Sequence, residues 1–431
     1  MQLYYYNINT VPKLYLFVMA ILRNRMRKEK LNNNNCNCNT RNTVAVIFLL
    51  VFCGQYHLQH SIVHGNSSSS AFNYLEGGNE GAFLSSADDT SSNNRQRIVI
   101  LAGPHKTGTT SIQNNVMKWT SPGKNKIKQW EWPVPSEVIE IETKDEQNWR
   151  WNAGKGFYAL SESLRDSRHY QVKGRKLFLQ YSSDELLKFY KTEFLKTWIK
   201  GKNIVFGSEA FDFIIKDING RDMIDGLKAL MPWHIDGVNL NGSDDDITVV
   251  VTYRLSRIKH LISIWRQTKK ATEPFEEWMK ETLNNLGALD SLGLANAFIS
   301  QNLKVSLLDS SGLAAAGVDI SNAVACDVLD APCTKDKQVV GTKPVVMNTK
   351  VDFQGKVNLS EEQLEVMDKA LQMYDCKYQS MVMEDDRLTV LYPHGLLKVF
   401  EFCNSNGLQE YSVGRDELKR QLQCIAAGFK G

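Results

Sequence analysis

From residue 97 onward, short apolar runs alternate with longer stretches of helical spacing. Ile98–Leu101 (IVIL), Ile204–Phe206, Ile247–Thr252 (ITVVVT) and Leu303–Leu308 read as short strands. Runs this apolar are what strands covered on both faces require. Between them the period changes. Ser183–Lys200 places Leu186, Leu187, Tyr190, Phe194 and Trp198 on one broad face, as a helix packed on a core would. Helices are also predicted from about Thr110 and over Ser256–Lys270. A last helical region opens near Asn358, where Ser360-Glu-Glu-Gln has the form of a capping box. Strands alternating with helices predict an α/β fold, a parallel sheet flanked by helices on both faces. One domain over 96–431 accommodates all of it.

The first 95 residues follow a different pattern. Residues 1–42 include an Asn tract, Asn32–Asn35, and read as a tail. The run Val44–Cys53 is apolar, and Lys13, Arg23, Arg25, Arg27, Lys28, Lys30 and Arg41 precede it against one acid, Glu29. Such a bias orients the N-terminus to the cytoplasm. A membrane span needs about 20 apolar residues, and this run is shorter, as is Leu14–Leu22. Three readings stand: a signal-anchor over 43–63, a cleaved signal segment behind a long basic leader, or neither. The first leaves 1–42 as a cytoplasmic tail, and the first two send the remainder into the secretory pathway. Residues 64–95 are rich in Ser, Asn and Gly and read as a flexible stem.

Composition narrows the classes. Apolar residues make up 42% of the 431-residue chain and charged residues 23%, as in ordinary globular proteins. A formal net charge of +3 gives no reason to expect a nucleic-acid partner. Cys326, Cys333, Cys376, Cys403 and Cys424 follow the apolar run. In an oxidising compartment they would give two disulfides and one leftover thiol, with Cys326 and Cys333 the favoured pair across a short loop containing Pro332. In a reducing compartment they would be buried thiols. Asn66-Ser-Ser, Asn241-Gly-Ser and Asn358-Leu-Ser are N-glycosylation acceptor patterns.

The chemistry concentrates after the first strand, in Gly103-Pro-His-Lys-Thr-Gly-Thr-Thr110. A strand, a Gly turn and a helix start make an anion site, because the first helical amides lack internal partners and the helix dipole is positive there. Gly103 and Gly108 permit close backbone approach. Thr107, Thr109 and Thr110 supply hydroxyls, and Lys106 a mobile cation. The two glycines have the separation of a nucleotide triphosphatase loop, G-x-x-x-x-G-K-[ST]. However, Thr109 stands where that lysine belongs, and Tyr253-Arg254 follows the third strand with no metal-holding carboxylate.

The segment resembles the 5′-phosphosulfate loop of the P-loop sulfotransferase superfamily, a strand followed by G-x-x-K-[TS]-G-T-[TS]. The resemblance extends over 97 to about 310 and looks most like the Golgi carbohydrate branch. It implies 3′-phosphoadenosine 5′-phosphosulfate (PAPS) as donor, no metal, and in-line transfer of a sulfuryl group to a hydroxyl or amine. By the same resemblance Lys106 contacts the leaving phosphate and sulfuryl oxygens, and residues 107–110 cradle the 5′-phosphate. Arg254 and Ser263 would hold the 3′-phosphate, although Ser263 follows Arg254 at one residue more than the family's usual spacing. Ser256 is the local alternative, and Arg257 could share the phosphate. Read without the resemblance, Arg257, Lys259 and Arg266 make a solvated basic helix face.

A general base must reach the acceptor hydroxyl. Glu209 is the first candidate, just beyond the strand Ile204–Phe206, where ligand sites of parallel sheets gather. It could equally cap a helix start behind Ser208. His105 is the second candidate, since it lies inside the loop. For the acceptor, Trp119, Trp130, Trp132, Trp149 and Trp151 cluster in one insert and could stack on a glycan or fill a core. Lys124, Lys126 and Lys128 could attract an acidic polysaccharide. The expectation is a Golgi-membrane sulfotransferase with a lumenal catalytic domain acting on a glycan. The alternatives are a P-loop kinase or triphosphatase, and a non-catalytic secretory glycoprotein that keeps the fold.

Overall fold

In the computed structural model, residues 95–428 are described apart from 104–108, 121–125, 144–156, 165–179, 209–210, 212–219, 236, 238, 269–272, 283–289, 343–356, 358 and 409–413. Six strands form one sheet: β1 (Ile98–Gly103), β2 (Trp130–Glu131), β3 (Asn203–Gly207), β4 (Ile247–Tyr253), β5 (Lys304–Asp309) and β6 (Leu388–Leu391). Their order is β2-β3-β1-β4-β5-β6, and every pairing is parallel. Parallel neighbours need a crossover, and helices supply it. They are α1 (Thr109–Thr120), α2 (Ser136–Thr143), α3 (Tyr158–Leu164), α4 (Ser183–Ile199), α5 (Gly220–Ala229), α6 (Arg257–Thr268) and α7 (Phe275–Thr282). After them come α8 (Ser291–Ile299), α9 (Ser310–Ala315), α10 (Ile320–Ala323), α11 (Glu361–Asp375), α12 (Gln379–Glu384), α13 (His394–Ser405) and α14 (Arg415–Gly428).

The strands show the pattern their sequences predict. All six residues of β1 are buried, and β4 is buried at six of seven positions, so the centre of the sheet is covered by helices. β6, at the edge, buries only Leu388. Helix α4 turns Leu186, Tyr190, Phe194 and Trp198 inward. It is started by a reciprocal cap in which Glu185 N donates to Ser182 Oγ and Ser182 N donates to Glu185 Oε2. Ser360 and Gln363 form the same box at the start of α11, as the sequence predicts.

Two apolar clusters hold these layers. The larger surrounds the sheet. The smaller joins α6, α7, α11 and α14 through Leu261, Trp265, Phe275, Met367, Leu371 and Leu422. The C-terminal third, which carries no motif of its own, therefore packs against the helix that follows β4. Two disulfides are present, Cys326–Cys333, the pair favoured from the sequence, and Cys376–Cys403. The second joins the end of α11 to α13.

The tryptophan cluster is core where it is described. Trp119, Trp130 and Trp132 are buried, and Trp130 Nε1 donates to the Leu329 carbonyl at 2.7 Å. Buried rings cannot stack on a sugar, so that reading is withdrawn for these three; Trp149 and Trp151 lie outside the described residues. The proposed tail, anchor and stem (1–42, 43–63 and 64–95) also lie outside them, except for Arg95. Among the described residues no helix is long and apolar enough to cross a membrane.

Candidate functional site at the carboxyl edge of the sheet

Because all six strands run the same way, their C-terminal tips share one edge. The connection leaving β1 leads toward β2 and β3 on one side, and the connections leaving β4 lead to β5 and β6 on the other. A crevice opens where strand order reverses in this way, and ligands of open parallel sheets bind there. Of the sequence-predicted donor residues, Gly103 ends β1, Thr109 and Thr110 open α1, Arg254 directly follows β4 and Ser263 lies on α6.

β1 ends at Gly103, whose φ of 105° suits a residue without a Cβ. The register against β4 slips between Leu101 and Gly103, and Thr252 Oγ1 donates to the Gly103 carbonyl at 3.1 Å in the buried interior. This bond fixes the point at which the chain leaves the sheet. Thr252 has no motif to announce it; only the paired strands give it this role. Helix α1 begins at Thr109, so 104–108 join a strand tip to a helix start, as the sequence predicts. His105, Lys106, Thr107, Gly108 and the side chains of Thr109 and Thr110 lie outside the described residues.

On the other flank β3 crowds β1. A Cβ on Gly207 would sit 2.6 Å from the Leu101 carbonyl oxygen. Ser208 N donates to that same carbonyl at 3.2 Å, and Ser208 Oγ lies 3.1 Å from Ser161 Oγ. Glu209 is the next residue, outside the described set. Ser208 is thus tied back into the sheet.

Arg254 follows the last residue of β4 and is half-buried. Burial lowers its pKa, yet a guanidinium stays charged at neutral pH. Among the described residues no carboxylate pairs with it. Ser263 is half-buried on α6. Ser256, also half-buried, precedes α6, and its carbonyl accepts from His260 N at 3.2 Å.

The basic face expected of α6 is corrected in part. Lys259 and Arg266 are exposed, but Arg257 is fully buried and neither solvated nor open to a phosphate. Arg257 Nη2 donates to Asp375 Oδ1 at 3.2 Å, and Tyr253 Oη donates to the other oxygen, Oδ2, at 3.0 Å. The guanidinium carbon stands 5.5 Å from the centre of the Tyr253 ring. Burial raises the Asp375 carboxyl to about 6, with Arg257 opposing and Asp290 adding to the rise. Burial likewise raises the Tyr253 phenol. Two turns earlier on α11, Asp368 Oδ1 accepts from Ile258 N at 2.9 Å and caps the start of α6. Beside the pair, Asp290 accepts from Tyr374 Oη at 2.8 Å and Tyr378 Oη at 3.0 Å. Asp368 and Asp375 lie more than a hundred residues beyond the strand tip they support, and nothing in their local sequence distinguishes them.

Among the described residues no group of three His, Cys, Asp or Glu side chains is arranged to hold a metal ion. No family model matches the chain, and no curated protein or solved structure matches it.

Proposed function

We propose that this chain is a PAPS-dependent sulfotransferase of the P-loop type, with its donor site at the crevice between the tips of β1 and β4. The observation that carries the reading is the juxtaposition at one sheet edge of two elements. One is the Gly103-Pro-His-Lys-Thr-Gly-Thr-Thr110 junction between β1 and α1; the other is Arg254, half-buried and without a carboxylate partner among the described residues. The loop suits a 5′-phosphate and Arg254 a second phosphate, as a 3′,5′-bisphosphorylated nucleoside would require.

When bound, PAPS supplies the sulfuryl group, which leaves the phosphosulfate oxygen for an acceptor oxygen. The chain's part is to position and to stabilise charge. Lys106 neutralises the oxygens on which charge builds, and residues 107–110 hold the 5′-phosphate. Glu209, directly after the anchored Ser208, takes the acceptor's proton, with His105 as the alternative base. Ser263 joins Arg254 at the 3′-phosphate. The acceptor we propose is a glycan hydroxyl. Exposed Lys126 and Lys128 would attract an acidic chain. Two disulfides favour an oxidising compartment, and Asn241 of the Asn-Gly-Ser pattern is exposed. Both suit a lumenal Golgi enzyme anchored by its N-terminal segment.

The test is calorimetric binding of 3′-phosphoadenosine 5′-phosphate to the full-length protein without magnesium, beside Lys106→Ala and Arg254→Ala. Binding weakened by about tenfold or more in each variant is expected, as for loss of a charge-assisted contact. No binding by folded protein, or magnesium-dependent binding of ATP in its place, would overturn the assignment.

A further inference from the structure

The buried carboxylate of Asp375 has no place in the reaction just described, and its position suggests one. Arg254 is flanked on both sides by residues that Asp375 holds. Tyr253, immediately before it, donates to Oδ2, and Arg257, three residues after it, donates to Oδ1. Ile258 is fixed by Asp368 of the same helix. The backbone of 254–256 therefore spans a short gap between points that are all moored to α11. Asp375 is itself the last residue of α11, and a 3-10 turn over Cys376–Tyr378 carries the chain on into α12. The next residue, Cys376, is bonded to Cys403 of α13, with Cα atoms 5.6 Å apart. Helix α13 is tied in turn to the tip of β5, where Leu396 N donates to Asp309 Oδ2 at 2.8 Å. A continuous set of contacts thus runs from the β5 tip through the disulfide and Asp375 to both sides of Arg254.

We infer that Asp375, fixed by the Cys376–Cys403 disulfide, is a positioning residue for Arg254 and so sets the protein's selectivity for the donor's 3′-phosphate. This rests on the sulfotransferase reading. Asp375 touches no ligand; it holds the turn that aims the guanidinium. The Cys326–Cys333 disulfide has no such connection. It closes a turn beyond α10 and serves as the internal control.

The measurement is a ratio in the full-length protein: affinity for 3′-phosphoadenosine 5′-phosphate over affinity for adenosine 5′-monophosphate, which lacks the 3′-phosphate. A purely structural role would weaken both ligands together and leave the ratio unchanged. The expected result is that Arg254→Ala, Asp375→Asn and Cys403→Ser each reduce the ratio by about tenfold or more, while Cys333→Ser does not. Asp375→Asn leaves a buried guanidinium unpaired and risks unfolding, so the double variant Arg257→Met/Asp375→Asn, which removes both charges, accompanies it. If Arg254→Ala lowers the ratio but folded Cys403→Ser and the double variant retain it, Asp375 does not position Arg254 and the donor assignment stands. If the wild-type protein binds neither ligand, the donor assignment fails and takes this inference with it.

Discussion

Replacing Arg257 by methionine keeps most of the side-chain volume and removes the cation that faces Asp375. In the wild-type protein burial raises the Asp375 carboxyl from 3.8 to about 6, with Arg257 opposing the rise. A carboxyl raised in the folded state favours folding fully below its unfolded value, and that contribution is lost as pH rises through the folded one. For Asp375 the window is about 4 to 6, and the shift of roughly two units corresponds to ~3 kcal/mol. Without Arg257 the opposing influence is gone and the folded pKa climbs above 6. Between 6 and that new value the variant holds a proton that the wild type has released. Its stability deficit should therefore grow with pH by about 1.4 kcal/mol per unit, toward the ~3–5 kcal/mol expected of a broken buried pair. Asp375→Asn should behave differently. The guanidinium left behind does not titrate, so above about pH 6 the deficit should be large and flat. Urea denaturation of the three proteins at several pH values between about 6 and 8.5 measures both curves. Parallel, pH-independent deficits for the two variants would show that Asp375 does not titrate as its burial requires.

Two further substitutions test the sheet that carries the site. Gly207→Ala puts a Cβ against the Leu101 backbone, which cannot rotate away; a loss of about 1–3 kcal/mol is expected, seen as a lower thermal midpoint. Trp130→Phe keeps the ring but leaves the buried Leu329 carbonyl without its donor. About 1–3 kcal/mol should be lost, read by denaturant titration, and a loss below about half a kcal/mol would mean that the bond contributes little.

Much of the fold was legible because burial on both faces leaves an unmistakable mark. Ile98–Leu101 and Ile247–Thr252 could hardly be anything but interior strands, and they are β1 and β4 with one or two residues added. Neither β2 nor β6 shows a strand pattern in the sequence. Two residues of β2 cannot show a period, and β6 lies at the edge, where one buried leucine is enough. Ser182 and Ser360 illustrate a middle case. The Ser-x-x-Gln pattern at Ser360 marks a helix start, whereas the equivalent Ser182–Glu185 box is overshadowed by the longer apolar face behind it. Gly103, which ends β1, and Arg254, which directly follows β4, stand out in the sequence because an apolar strand pattern leads straight to each. Helical spacing groups Arg257 with Lys259 and Arg266, and only a partner 118 residues away in sequence explains its burial. The tryptophans of the insert failed for a related reason: an indole that stacks on a ligand and one that closes a core look the same until the neighbouring chain is in place.

The strand order has a consequence for how the chain comes off the ribosome. β1 has no partner among its near neighbours in sequence. Its two sides are taken by residues 203–207 and 247–253, so the most apolar strand emerges more than a hundred residues before anything can pair with it. No hairpin is available as a local nucleus, and pairings this distant carry a large loop-closure entropy. The nascent chain must therefore carry IVILAG unpaired through much of its synthesis, and the end of that strand is held only after β4 has arrived and Thr252 bonds Gly103. A chain that stalls before residue 253 exposes a strand edge to its neighbours.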